Sequence, residues 1–170
     1  IIILACKSYS LKESIRDLKS LKGHGIIIPL LNGYTHLSDL DKNFKKENVF
    51  GGVAHVSSNI SEPGYANQVG QIKRLSFGIR HKTNEAVAKQ FFEICKKADF
   101  QIIFSKNIDQ DIWEKWIFLA TIAGATTLFR TSIDKISNKD SGSKFISNLW
   151  NECINLSQAN GIILSNESKK

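Results

Sequence analysis

Up to about residue 105, short apolar runs alternate with amphipathic stretches; beyond it the pattern is helical throughout. Ile1 to Cys6 is an uninterrupted apolar run, of the kind buried on both faces in a parallel sheet. Lys7 ends it. Ser10-Leu11-Lys12-Glu13 reads as a capping box opening a helix to about Leu21, with Leu11, Ile15 and Leu18 on one face. Gly23 and Gly25 stop that helix. Ile26 to Leu31 is a second buried strand, terminated by Asn32-Gly33. The spacing predicts a βαβ unit over 1–31, with a right-handed crossover.

A short helix is expected at His36–Phe44 and a strand at Phe50–Ser58, where Gly51-Gly52 allows a close backbone approach or a bulge. Ser61-Glu62-Pro63-Gly64 is a turn. Antiparallel strands follow at 66–69 and 75–79. Thr83-Asn84 caps a helix to about Ala98, with Val87, Phe91, Phe92 and Cys95 facing inward. Gln101–Phe104 is the last strand. Helices are then expected near 110–130, 133–137 and 144–160, the last stopped at Gly161. Asn138–Ser143 reads as a flexible loop.

The helix near 110–130 opens on an acidic, Asp-capped first turn, Asp109-Gln110-Asp111. From Trp116 to Phe129 it carries no charged residue. That run is too short to span a bilayer, which takes roughly 20 apolar residues. Lys115 stands at its mouth. A lysine there can snorkel to water, pair with Asp111 one turn back, or line a pocket where its ammonium meets a substrate oxygen. Lys7 and Asn32 stand at strand ends, where open α/β sheets bind ligands.

Hydrophobic residues make up 42% of the 170-residue chain, enough for a core. The net charge of +7 is spread along the chain. No basic stripe interleaved with aromatics suggests a nucleic-acid partner. Cys6, Cys95 and Cys153 are far apart, and His24, His36, His55 and His81 lack metal-ligand spacing. These features fit a reducing cytoplasm without metal. The apolar opening, the lack of Met and the polar end at Asn166–Lys170 suggest a fragment or a trimmed chain. An exposed Ile1–Cys6 edge would favour self-association.

The order Leu4-Ala5-Cys6-Lys7, Pro29-Leu30-Leu31-Asn32-Gly33, Gly51-Gly52-Val53-Ala54, Ser61-Glu62-Pro63-Gly64 and Ile112-Trp113-Glu114-Lys115 resembles ketopantoate reductase (2-dehydropantoate 2-reductase) over essentially the whole chain. The resemblance implies an α/β fold. Residues 1–105 would be the second half of a Rossmann-like NADP-binding domain, with parallel strands and an antiparallel extension. Residues 106–170 would begin an all-α substrate and dimerisation domain, similar to that of 6-phosphogluconate dehydrogenase. The family's glycine-rich phosphate loop and its C-terminal segment are not in this sequence. The implied activity is NADPH-dependent reduction of a 2-keto acid, 2-dehydropantoate, on the route to pantothenate and coenzyme A. A homodimer is a possible assembly.

By the same resemblance, Lys115 is the general acid that protonates the developing alkoxide and also binds substrate. Asn32 bridges nicotinamide and substrate, Lys7 contacts the cofactor, and Ser58 falls where the family has a small residue touching cofactor. Many members carry Asn one and two turns after the lysine, to hold the substrate's hydroxyl and carboxylate. This chain has Leu119 and Ala123 there, which cannot make those hydrogen bonds. A bulkier or more apolar 2-keto acid is therefore open. So is a related hydroxyacid dehydrogenase with the same two-domain plan, or a non-catalytic dimerisation module.

Overall fold

Three parallel strands organise the first part of the chain. The computed structural model describes residues 1–21, 25–82 and 85–165. β1 (Ile2–Leu4) and β2 (Ile27–Pro29) pair in parallel, with Ile3 opposite Ile28. A parallel bridge from Ile27 to Val49 continues this direction into β3 (Gly51–Glu62). β3 turns back on β4 (Tyr65–Gly78), which pairs in parallel with β5 (Gln101–Phe104). The crossover between β1 and β2 is α1 (Leu11–Ser20), which buries Leu11 and Ile15. α2 (Thr35–Asn43) links β2 to β3, and α3 (Ala86–Cys95) links β4 to β5.

Aromatic stacking closes the core of this sheet. Ile28, Phe50, Phe77 and Ala88 are buried together, with Phe91, Phe92 and Phe104 packed against them. The Phe77 ring stacks on Phe104 at 5.2 Å and meets the edge of Phe91 at 5.0 Å. Both geometries suit the quadrupole of the rings. Gly52 allows the close approach expected of its Gly-Gly pair: a Cβ there would lie 2.7 Å from the Pro29 carbonyl oxygen.

Several elements differ from expectation, each for a local reason. Ser10 does not cap α1: it has helical backbone angles and makes no side-chain cap hydrogen bond. A 3-10 turn at Ser8–Ser10 already bends the chain, so the helical path begins before the serine. The strands expected at 66–69 and 75–79 are one long strand, interrupted by a bulge. Val56 pairs with Lys73 and Ser57 with Val69, which leaves Gly70, Gln71 and Ile72 as the extra residues. Gly70 sits at φ +79°, which bends the strand without ending it. Val87 is 42% exposed rather than inward, because the buried face of α3 runs through Ala88. The expected Thr83-Asn84 cap lies outside the described residues, as does the Gly23 stop.

The chain divides into two compact units, Ile1–Asp111 and Ile112–Lys170. α4 (Ile108–Phe129) starts in the first and continues in the second. Asn107 rather than Asp109 caps it. The Asn107 Oδ1 accepts from the Gln110 backbone N–H at 3.4 Å, and its side-chain amide donates to Gln110 Oε1 at 3.0 Å. In the second unit, α4 is followed by α5 (Ile133–Ser137) and α6 (Asp140–Ala159). Ile117, Cys153 and Leu164 form its buried cluster, covered by Trp116, Leu149 and Trp150. The Ser165 backbone N–H donates to Glu114 Oε1 at 2.7 Å, which ties the segment after α6 to α4. Gly161 at φ +79° ends α6, and the Ile162 N–H reaches back to the Ser157 carbonyl at 3.0 Å.

The loop expected at Asn138–Ser143 shrinks to Asn138 and Lys139, because α6 begins at Asp140. Gly142 is a packing residue instead. A Cβ there would lie 2.1 Å from the Ile136 carbonyl oxygen, in the backbone of α5. Gly142→Ala is therefore expected to destabilise the fold by about 2–3 kcal/mol, since the clash is with backbone and cannot be relieved by a rotamer change. Gly64→Ala, at φ +88° in open space, should cost only about 1 kcal/mol of backbone strain. Chemical denaturation of the two variants side by side measures both; equal effects would contradict the packing role of Gly142.

Candidate active site

Lys7, Asn32 and Ser58 leave the sheet from the same end. β1, β2 and the start of β3 run parallel, so the carboxyl ends of all three point one way. Lys7 follows β1 and is exposed; its carbonyl accepts the Ser10 N–H at 2.9 Å. Asn32 follows β2, is exposed, and precedes Gly33, whose φ of +90° turns the chain into α2. Ser58 does not end its strand as expected. It lies within the long β3, exposed and paired with Gln68 on the hairpin arm beyond that same sheet end. The hairpin closes through Pro63-Gly64, with Glu62 opposite Tyr65.

Lys115 belongs to the second unit. It is half-buried on α4, at the start of the charge-free run. Burial pulls its ammonium below the ordinary 10.5, because removing water penalises the charged form. An acidified ammonium gives up its proton more readily. On the helix beyond it, the Thr126 hydroxyl donates to the Ile122 carbonyl at 2.7 Å, and the Thr121 hydroxyl to the Ile117 carbonyl at 2.8 Å. Both hydroxyls thus bond back to their own helix.

A charged network that local sequence patterns do not disclose lies in the first unit. The Arg80 guanidinium, its side chain 5% exposed, donates two hydrogen bonds to Asp41, at 2.9 Å and 3.0 Å. Its Nε donates to Asp109 at 3.2 Å, and the Tyr34 hydroxyl also donates to Asp109, at 3.4 Å. The His81 Nε2 lies 3.7 Å from Asp41. Burial pulls the Arg80 guanidinium down, but the hydrogen bond and charge of Asp41, with those of Asp109, outweigh it and raise it above its ordinary value. Burial, then the nearby Asp109 charge, raises the Tyr34 hydroxyl. His36 is 5% exposed. Burial and then the Arg80 charge push its imidazole down to about 4, so it is held neutral. The partners of Arg80 stand 39 and 29 residues away, and no short-range spacing could reveal them.

Among the described residues, no group of His, Cys, Asp and Glu could hold a metal ion, and no helix is long and apolar enough to cross a membrane. What this architecture offers is a polar, exposed end of a parallel sheet and, on a separate helix, an acidified lysine.

Comparison with known proteins identifies the family. Residues 1–82 match the family described as ketopantoate reductase PanE/ApbA, and residues 107–170 match its C-terminal part. The chain belongs to the ketopantoate reductase PanE/ApbA family. It is 31% identical over 163 residues to the oxidoreductase YkpB of Bacillus subtilis (strain 168), described as uncharacterized, covering 95% of this chain and 54% of that protein. It is 24% identical over 168 residues to a 2-dehydropantoate 2-reductase of Streptococcus pyogenes serotype M6, covering 98% of this chain and 54% of that protein. The chain thus spans about half the length of the curated relatives it matches.

Solved structures share the fold. A D-mandelate dehydrogenase complexed with NADH and anilino(oxo)acetate superposes with a TM-score of 0.84 at 21% identity, over 97% of this chain and 54% of that one. A dimeric ketopantoate reductase from Staphylococcus aureus superposes with a TM-score of 0.81 at 25% identity, over 98% of this chain and 55% of that one. The fold is that of a partial Rossmann-like α/β domain followed by the start of a helical C-terminal domain.

Two measurements test the network. Arg80→Met leaves Asp41 and Asp109 without their cation and is expected to destabilise by about 2–4 kcal/mol in denaturant titration. An effect below about 0.5 kcal/mol would mean the network is no more than a surface pair. His36 has a folded pKa of about 4, below its ordinary 6.5. Between those values the unfolded chain takes up a proton that the folded chain refuses. Its contribution is intact above pH 6.5 and lost as pH falls towards 4, with a slope of at most about 1.4 kcal/mol per pH unit. His36→Asn is expected to flatten that part of the stability profile, and an unchanged slope would show that the imidazole is not held neutral.

Proposed function

We propose that the chain forms part of a nicotinamide-dependent reductase of 2-keto acids, with Lys115 as the proton donor. The observation that carries the reading is the half-buried Lys115, its ammonium acidified by burial at the start of the charge-free run of α4. Membership of the family supports it. 2-Dehydropantoate, the substrate named for the Streptococcus pyogenes relative, is the first substrate to assay. Leu119 and Ala123, one and two turns beyond the lysine, favour a second reading within the same chemistry: a different 2-keto acid.

In this proposal residues 1–105 bind the dinucleotide and 106–170 begin the substrate and dimerisation domain, with a homodimer as the assembly. The exposed Lys7 ammonium and Asn32 carboxamide fit a dinucleotide, one as a phosphate partner and one as an amide partner. Ser58, exposed on the arm beyond the same sheet end, adds a hydroxyl. NADPH is the form proposed. When bound, the reduced nicotinamide supplies the hydride and is oxidised.

The residues of this chain do the rest. Lys115 hydrogen-bonds the ketone oxygen. As the carbonyl carbon receives hydride, the C=O π pair moves onto that oxygen and takes a proton from the Lys115 ammonium. Negative charge builds on the oxygen in the transition state, so a cation placed there stabilises it selectively.

In the longest native form of this chain, Lys115→Ala is expected to lower kcat for keto-acid reduction by about 10²–10⁴-fold. Its denaturation midpoint should stay close to that of the unaltered protein. Steady-state oxidation of NADPH measures the first and denaturant titration the second. Undiminished turnover would refute the role given to Lys115.

A further inference from the structure

Asp109 fastens the start of α4 to the elements around it. Ile108, the first residue of the helix, is 1% exposed and lies over the end of β4, where a Cβ on Gly78 would come within 2.8 Å of the Ile108 Cβ. That contact is apolar, and apolar contact is non-directional. Direction comes from the next residue. The Asp109 Oδ1 accepts from the Arg80 Nε–H at 3.2 Å and from the Tyr34 hydroxyl at 3.4 Å. Arg80 is itself held by its paired bonds to Asp41, and Tyr34 stands two residues after Asn32. One carboxylate oxygen thus receives a donor from the segment after β4 and another from the loop after β2.

The same helix carries Lys115. α4 runs unbroken from Ile108 to Phe129. Residues 109–115 contain no Pro or Gly, the residues at which helices most often kink. From Asp109 to Lys115 the helix rises roughly 9 Å, at about 1.5 Å per residue. A tilt of about 6° at the first turn moves a group at that distance by roughly 1 Å. A misplacement of about 1 Å in a reacting group can cost on the order of 10²-fold in rate.

We infer that Asp109 is a positioning residue for the reductase: held by Arg80 and Tyr34, it fixes the direction in which α4 carries Lys115. The inference rests on the reading of Lys115 given above. Asp109 acts through the lysine and touches neither substrate nor cofactor. An acceptor oxygen at the Oδ1 position satisfies both donors, so the role needs the shape of the side chain more than its charge.

The test uses the longest native form of the chain with NADPH and whichever of 2-dehydropantoate, 4-methyl-2-oxopentanoate and 2-oxo-2-phenylacetate it reduces fastest, at a temperature where every variant is folded. Asp109→Ala is expected to lower kcat about 10- to 100-fold, with the KM for NADPH within about twofold of the unaltered protein. Asp109→Asn keeps Oδ1 and should restore kcat to within about threefold. If Asp109→Ala folds poorly, Arg80→Lys takes its place. It keeps a cation for Asp41 but has no Nε–H for Asp109, and should lower kcat by about tenfold.

If Lys115→Ala abolishes turnover while Asp109→Ala, or Arg80→Lys in its place, leaves kcat within about twofold, the reductase reading stands and the positioning inference is overturned. Asp109→Asn as impaired as Asp109→Ala overturns it too, by giving the role to charge. So does a fall in kcat matched by a rise in the KM for NADPH, the mark of a general loosening of the fold. If no keto acid is reduced, or Lys115→Ala is without effect, the reading of Lys115 falls and takes this inference with it.

Discussion

The first unit depends on one guanidinium held between two carboxylates. Arg80 is almost wholly buried and pairs with Asp41 near the end of α2 and with Asp109 in the first turn of α4. A charge so far from water is tolerated only when its donors are satisfied, and Arg80 meets this with paired hydrogen bonds to Asp41 and one to Asp109. Segments from α2, from the end of β4 and from the start of α4 are thereby held in one register. Asp109 accepts from both Arg80 and Tyr34, and Asn107 closes the helix cap. The starting point of α4 is set by polar groups before its apolar run begins.

That run begins one residue after Lys115. Lys115 is half-buried, and the loss of water lowers the pKa of its ammonium. Beyond it, the Thr121 and Thr126 hydroxyls bond to the backbone of their own helix.

The elements built from local rules were legible in the sequence. The strands at 2–4, 27–29 and 101–104 follow from apolar runs, and Lys7 and Asn32 were placed at their ends by where those runs stop. Lys115 stands out because it is a charge at the start of a charge-free run. The misses arise where a local signal met a nonlocal one. Ser10 looks like a cap, but the chain is already helical before it. Ser141-Gly142-Ser143 looks like a loop, yet Gly142 is there to let α5 and α6 approach. The Arg80 network joins residues so far apart that only the folded chain reveals it. The substrate's side chain was open from Leu119 and Ala123 alone.

The pH dependence of keto-acid reduction tests the central claim most directly. With Lys115 as proton donor, kcat/KM should fall at high pH through a pKa below the ordinary 10.5 of a lysine. Lys115→Arg, which stays protonated, should remove that alkaline limb while retaining part of the activity. An alkaline limb unchanged by Lys115→Arg would contradict the account and assign the proton to another group.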